Sequence, residues 1–184
     1  MKRLMVCVPV ALALCAAPVR AAHWNVDYSR SRLGFTVQWS GEPFSAQFRH
    51  WNADIDFDPT DLAHAHVVVT VDLASETSDE PDFDSGLKGA QGFETSRFPE
   101  ARFVVKSITA KSGNKYVADG TLSIRGISRD VMLLFSLTMS GSTAHMIGVA
   151  RVSRTDFGIG QGEWAAPTPV SPDVMVTVAL AATK

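Results

Sequence analysis

From Trp24 to Leu180 the apolar residues recur with a period of two, a repeat that restricts most of the chain to strands. Leu33, Phe35, Val37 and Trp39 alternate with Gly34, Thr36 and Gln38, and Ala53, Ile55 and Phe57 alternate with Asp54, Asp56 and Asp58. Val67, Val69, Val71 and Leu73 form another apolar side, as do Phe103 with Val105, Leu122 with Ile124, and Val174, Val176, Val178 with Leu180. Successive strand side chains point to opposite faces, so each set marks one buried face. Ser40-Gly41, Asp58-Pro59, Ser112-Gly113, Arg125-Gly126 and Ser140-Gly141 supply the turns between them. About eight strands are expected, and sequential neighbours joined by short turns pair antiparallel.

VMLLFSLTM, residues 131–139, is the most apolar of these stretches. Val131, Leu133, Phe135, Leu137 and Met139 share one side, while Met132 and Leu134 add apolar surface to the other. It is far shorter than the roughly 20 residues of a membrane-spanning helix. An all-β chain of this length closes its edges most safely as a barrel. Eight strands or so leave an interior for side chains or for one small ligand. On periodicity alone, a core filled by Phe35, Trp39, Phe44, Phe48, Phe103 and Phe135 is the simpler expectation. The period breaks between Glu76 and Phe98. There Glu80, Asp82 and Asp84 read as an acidic loop, and Asp84 or Ser85 could cap a short helix through Ala90 that ends at Gly92.

The first 21 residues have a different character. Met1-Lys2-Arg3 is basic, Leu4 to Ala17 is apolar, and Val19-Arg20-Ala21 suits a cut after Ala21, the layout of a secretory signal peptide. Its removal leaves one domain, residues 22–184, large enough for a real core. Losing Lys2, Arg3 and Arg20 takes the basic residues from 17 to 14 against 19 acidic ones, a net charge of −5. That balance provides no footprint for nucleic acid or for an anionic membrane surface. Cys7 and Cys15 both fall in the signal, so the mature chain has no disulfide, thiolate nucleophile or cysteine ligand. Leu14 before Cys15 argues against lipidation.

Motifs for chemistry are sparse. His64-Ala-His66 would set two imidazoles on one strand face, but no third ligand has clear spacing, so solvent-facing histidines and no metal are expected. The acidic loop lacks the glycine and closing glutamate of an EF-hand. Gly158-Ile-Gly160-Gln-Gly162 lacks the lysine of a phosphate loop and reads as tight turning. No nucleophile elbow or zinc-protease motif occurs, so no catalytic residue is assigned. Arg154, Arg30 and Lys88 are the candidate donors for a ligand head group, although Arg154 could instead pair with Asp156 to hold its turn. Trp164 could pack over one barrel end or touch a ligand there.

Four stretches carry a resemblance. Tyr116 to Val131, YVADGTLSIRGISRDV, is similar to the Y-x-V-x-G-x-L-T-I-R-G-V-T-x-x-V segment of the YceI-like, polyisoprenoid-binding family. Arg154-Thr-Asp-Phe-Gly-Ile-Gly160 resembles its R-x-D-F-G-I-G turn, Phe98-Pro-Glu-Ala-Arg-Phe103 its F-P-x-x-x-F, and Asp27 to Phe35 its opening strand. The motifs fall in order along the whole mature chain. Arg30 and Trp39 stand where histidines are common in that family, and Ala46 where glycine is usual.

The resemblance implies a secreted, periplasmic protein with a lipocalin-like antiparallel barrel that holds an apolar chain, typically an isoprenoid. Its tunnel would be lined by Phe35, Val37, Trp39, Phe48, Phe103, Leu122, Leu133, Phe135, Leu137, Phe157 and Trp164, with the other side of residues 131–139 against the protein's own packing. The bound lipid would be the ligand, with no cofactor. Two rival readings stay open: an enzyme or accessory acting on an isoprenoid quinone or lipid with a transient membrane partner, and a structural barrel with a filled core. A homodimer is compatible with each.

Overall fold

A computed structural model describes residues 21–184, so residues 1–20 of the expected signal lie outside the described residues. These hold eleven strands: β1 (Asn25–Val26), β2 (Arg32–Trp39), β3 (Glu42–Phe48), β4 (Trp51–Asp56), β5 (His66–Asp72), β6 (Glu76–Thr77), β7 (Glu100–Ala110), β8 (Lys115–Ile124), β9 (Ile127–Ser140), β10 (Thr143–Ser153) and β11 (Val170–Thr183). One α-helix, α1 (Pro81–Lys88), stands among them. The strands form one antiparallel sheet in the order β4-β5-β7-β8-β9-β10-β11-β2-β3-β6, with β1 added along β11.

Eleven strands replace the expected eight because three strand lines are bent or interrupted. β1 and β2 follow one line along β11, broken at the Asp27–Ser31 turn. β3 runs into β4 through Arg49 and His50, and β5 runs into β6 through the 3₁₀ turn Leu73–Ser75. At this double corner the Arg49 N–H donates to the Ser75 carbonyl at 3.2 Å and the Asp72 N–H to the His50 carbonyl at 3.0 Å. Both arms of one bent strand thus pair with both arms of the other, and the two ends of the sheet meet. The join is short: only Gln47 and Phe48 of β3 pair with β6. The rest of that edge of β3 has no strand neighbour, and α1 stands beside it, with the Phe83 ring 4.3 Å from that of Phe44.

α1 begins three residues before the expected cap, because Pro81 at its first position has a φ already suited to a helix. The acidic residues are therefore not a free loop. Asp82 and Asp84 sit in the first helical turn, where negative charge meets the positive end of the dipole. The Asp84 carboxylate also accepts from the Ser78 N–H at 2.9 Å. The helix stops at Gly89, not Gly92. Gly92 is needed for another reason: a Cβ there would lie 2.0 Å from the Leu87 carbonyl oxygen.

β9 alternates as expected, with Val131, Leu133, Phe135, Leu137 and Met139 turned into the barrel. Its other side departs from expectation. Met132 is 61% exposed and Leu134 52%, and they share the outer wall with Ile147 and Val149 of β10 and Met175 of β11. Among the described residues no second layer covers this wall, since their one α-helix lies at the seam beside β3. His64 and His66 also part company: His64 closes a 3₁₀ turn and contacts Asp61, while His66 opens β5.

Candidate tunnel and its mouth

The barrel is hollow. A cavity of about 290 Å³ runs from Trp24, Phe57 and Leu180 at one end to Phe83 and Trp164 at the other. That volume is near the lower end of the roughly 300–1,000 Å³ typical of small-molecule sites. Its wall contains Phe35, Val37, Phe48, Phe103, Leu122, Leu133, Phe135, Leu137, Phe157 and Trp164, all expected from alternation and resemblance. The void exists because small residues hold many inward positions. Ala118, Ala144 and Ala150 line the cavity, and Gly120 and Gly148 hold positions on β8 and β10 of the same alternation, against Phe103 and against Leu133, Phe135 and Val178 of the adjacent strands. A Cβ at Gly120 would come within 2.5 Å of the Phe103 ring, so glycine leaves the space that ring occupies. Phe103, Leu133, Phe135 and Leu137 keep accessible surface although they point inward, as an unfilled interior requires. From Val131 to Met139 the wall spans about 26 Å of strand, or about 20 Å along an axis tilted by 35–45°. The void suits a chain.

Trp39 is the exception among the expected tunnel residues. It lies past the wall at the rim, with its ring 5.6 Å from Phe83 and 6.2 Å from Phe44. Phe83 stacks on Trp164 at 6.3 Å and an interplanar angle of 13°. These four rings frame the mouth. Gly86 makes the stack possible, because a Cβ there would fall 2.7 Å from the Trp164 ring. Gly86→Ala should therefore reverse the usual sign: in an open helix it would stabilise by about 1 kcal/mol, whereas here it displaces Trp164. Faster release of a fluorescent fatty-acyl probe in stopped flow, with no gain in melting temperature, is the expected result.

The three cations expected at a head group are not together. Arg30 is exposed in the turn before β2, at the opposite end of that strand from the mouth. Arg154 is at the mouth end but only 6% exposed, and all of its hydrogen bonds go to backbone. Its Nε donates to the Ser171 carbonyl at 3.0 Å, Nη1 to Ile159 at 3.0 Å and Gly160 at 3.4 Å, and Nη2 to Ala166 at 3.1 Å and Val170 at 2.8 Å. It neither pairs with Asp156 nor keeps a donor for a ligand. Gly160, at φ +82°, leaves room for it, since a Cβ there would sit 1.9 Å from Nη1. Lys88 alone keeps its place near the mouth, in the last turn of α1, where it faces the Glu76 and Asp84 carboxyls.

The YceI-like domain model matches residues 24–182. The chain belongs to the YceI-like family. A UPF0312 protein of Photorhabdus laumondii is 30% identical over 134 residues, covering 71% of this chain and 69% of that protein. BcnA of Burkholderia cenocepacia superposes with a TM-score of 0.83 at 28% identity, covering 86% of this chain and all of its own. A polyisoprenoid-binding domain of Saccharophagus degradans shares the fold, with a TM-score of 0.68 at 14% identity over 87% of this chain and 97% of that one.

In this YceI-like chain the recognisable motifs build the frame of the tunnel. Arg125 and Gly126, both with positive φ, make the two-residue turn between β8 and β9. The Arg125 guanidinium reaches back to the carbonyls of Ala90 and Gly92 and to Glu94, tying the segment after α1 to the barrel. Arg154 does the same for the loop from Ile159 to Ser171. Glu76 belongs to none of the motifs and was not singled out from sequence. It opens β6 and is 1% exposed, and neither carboxylate oxygen has a hydrogen-bond partner. Burial and the nearby Asp84 charge push its pKa up to about 7, against a downward pull from Lys88. Burial acts to raise Asp84 too, yet the Ser78 donors hold its carboxyl below the ordinary value. Glu76 stands among Ser75, Thr77 and Ser78 just past the apolar face that ends at Leu73, so the sequence carries no signal for this site.

Proposed function

We propose that this YceI-like protein is a non-enzymatic carrier or reservoir that holds a polyisoprenoid or similar long-chain lipid along the barrel axis, in the periplasm. The carrying observation is the continuous apolar tunnel, whose one charged lining residue, Arg154, spends its hydrogen bonds on backbone carbonyls. The Saccharophagus degradans domain, of the same fold, is a polyisoprenoid binder and supports the choice of ligand. About ten buried methylenes contribute about 8 kcal/mol, enough to offset an association cost of about 4–15 kcal/mol at its lower end. The scarcity of unengaged cations at the mouth favours an uncharged head over a pyrophosphate, with Lys88 the residue nearest to such a head.

Two measurements test this. Mass spectrometry of solvent extracts from protein purified from its native source should find a long-chain lipid. With a fluorescent prenyl or fatty-acyl probe, Phe135→Leu should keep the fold and alter affinity, while Phe135→Arg should abolish binding because it buries an unpaired cation. Thr138→Arg, on the solvent side of the same strand, should retain wild-type binding. Extracts without lipid, together with a Phe135→Leu variant that only lowers the melting temperature, would overturn the carrier reading.

A further inference from the structure

At the end of the barrel away from α1, four polar side chains meet on the outer surface. Asp54 and Asp56 alternate with Ala53 and Ile55, so they point outward while those two line the tunnel. His66 lies opposite Asp56 in the β4–β5 register, and His23 forms a backbone bridge to Asp56 from the other side. The His23 Nδ1 is 2.9 Å from Asp56 Oδ1 and 3.8 Å from Asp54 Oδ1, and the His66 Nε2 is 4.0 Å from Asp54 Oδ2. Donor atoms of His23, Asp54 and Asp56 all lie within 4.8 Å of one another. A tetrahedral ion with ligand bonds near 2.0 Å has ligand–ligand edges of about 3.3 Å. Small side-chain rotations close that difference for His23, Asp54 and Asp56, while His66, outside that group and 4.0 Å from Asp54, completes the set by swinging its exposed ring inward. Among the described residues no lysine or arginine pairs with Asp54 or Asp56, so with neutral imidazoles the cluster carries two uncompensated negative charges.

We infer that His23, Asp54, Asp56 and His66 form a surface site for a divalent transition-metal ion of zinc type. Two imidazoles with two carboxylates suit Zn²⁺, whereas Ca²⁺ and Mg²⁺ take six or more oxygen ligands. The ligands come from three neighbouring lines of chain, so a bound ion would pin the segment at His23 to β4 and β5. The site is independent of the tunnel and of what the tunnel holds.

Titration of the untagged protein with Zn²⁺ at pH 7.5, followed by calorimetry, tests it. One equivalent should bind, and the melting temperature should rise with Zn²⁺ concentration. His66→Ala and Asp54→Asn should each weaken binding about tenfold or more. His64→Ala removes a histidine that contacts one carboxylate, Asp61, and should leave binding unchanged. The metal-free melting temperatures of all three variants should match the wild type, since the replaced side chains are exposed. Absence of saturable binding, or equal weakening by His64→Ala and His66→Ala, would overturn the inference.

Discussion

Arg154→Ala is expected to lower the melting temperature by roughly 10 °C or more while acting on the tunnel only through its frame. The guanidinium bonds to carbonyls from Ile159 to Ser171, and its removal takes five donated hydrogen bonds from this loop. Hydrogen bonds to charged groups contribute about 1.5–3 kcal/mol each and do not add fully, so a net loss of about 3–6 kcal/mol is expected. At about 2–4 °C per kcal/mol for a domain of this size, that shift is easily measured. Arg154→Lys should recover little, because one ammonium with three donors cannot span carbonyls spread around a planar fork. Thermal melting and hydrogen exchange over residues 155–171 provide the readout. A variant with wild-type stability and weakened lipid binding would return Arg154 to the role of head-group ligand.

Glu76→Gln is expected to stabilise the protein, and to do so mainly above neutral pH. The folded-state pKa of about 7 lies above the ordinary value of 4.5, so between those limits the folded protein holds more protons than the unfolded chain. Stability contributed by the protonated form is complete below about pH 4.5 and is lost as pH rises through 7. At about 1.4 kcal/mol per pKa unit, the wild type forfeits about 3 kcal/mol across the window. Glutamine, being neutral throughout, removes that slope, though its amide inherits a site without partners and so recovers only part of the loss. Urea denaturation of both proteins at pH 5 and pH 8 should show curves that nearly coincide at the lower pH and separate at the higher. Parallel pH profiles would mean that Glu76 is charged and solvated in the folded protein. Lys88→Ala should carry the loss to higher pH and deepen it, because Lys88 is the one nearby group that pulls the glutamate pKa down.

The inward and outward faces of β2, β7, β8, β9 and β11 were legible because strand alternation is local. Each pleat turns a side chain over, whatever the rest of the chain does. The empty interior was legible only in part. Apolar alternation marks the large inward residues, whereas the small ones that leave the void, Ala118, Gly120, Gly148 and Ala150, occupy the same alternating positions with no apolar signal of their own. The cap expected at Asp84 or Ser85 lies about four residues beyond the observed cap at Glu80, because Pro81, whose fixed φ sets the start, has no capping side chain to mark it. The outer side of residues 131–139 was misjudged because an apolar pattern records which residues share a face and not whether another layer covers it.

Residues near one another in the chain carried the turns, the strand faces, the antiparallel order and the family motifs, since each depends on a few adjacent dihedral angles. Only the closed tertiary structure decided what lies across the barrel or around its corners. It aimed Arg154 at carbonyls up to 17 residues away, buried Glu76 near α1, parted His64 from His66, and set His23 with Asp54 and Asp56 and His66 beside Asp54. These meetings depend on strand register and on where β3–β4 and β5–β6 bend, which are set by the closing of the whole sheet. A one-residue slip in register would turn each of those side chains to the other face.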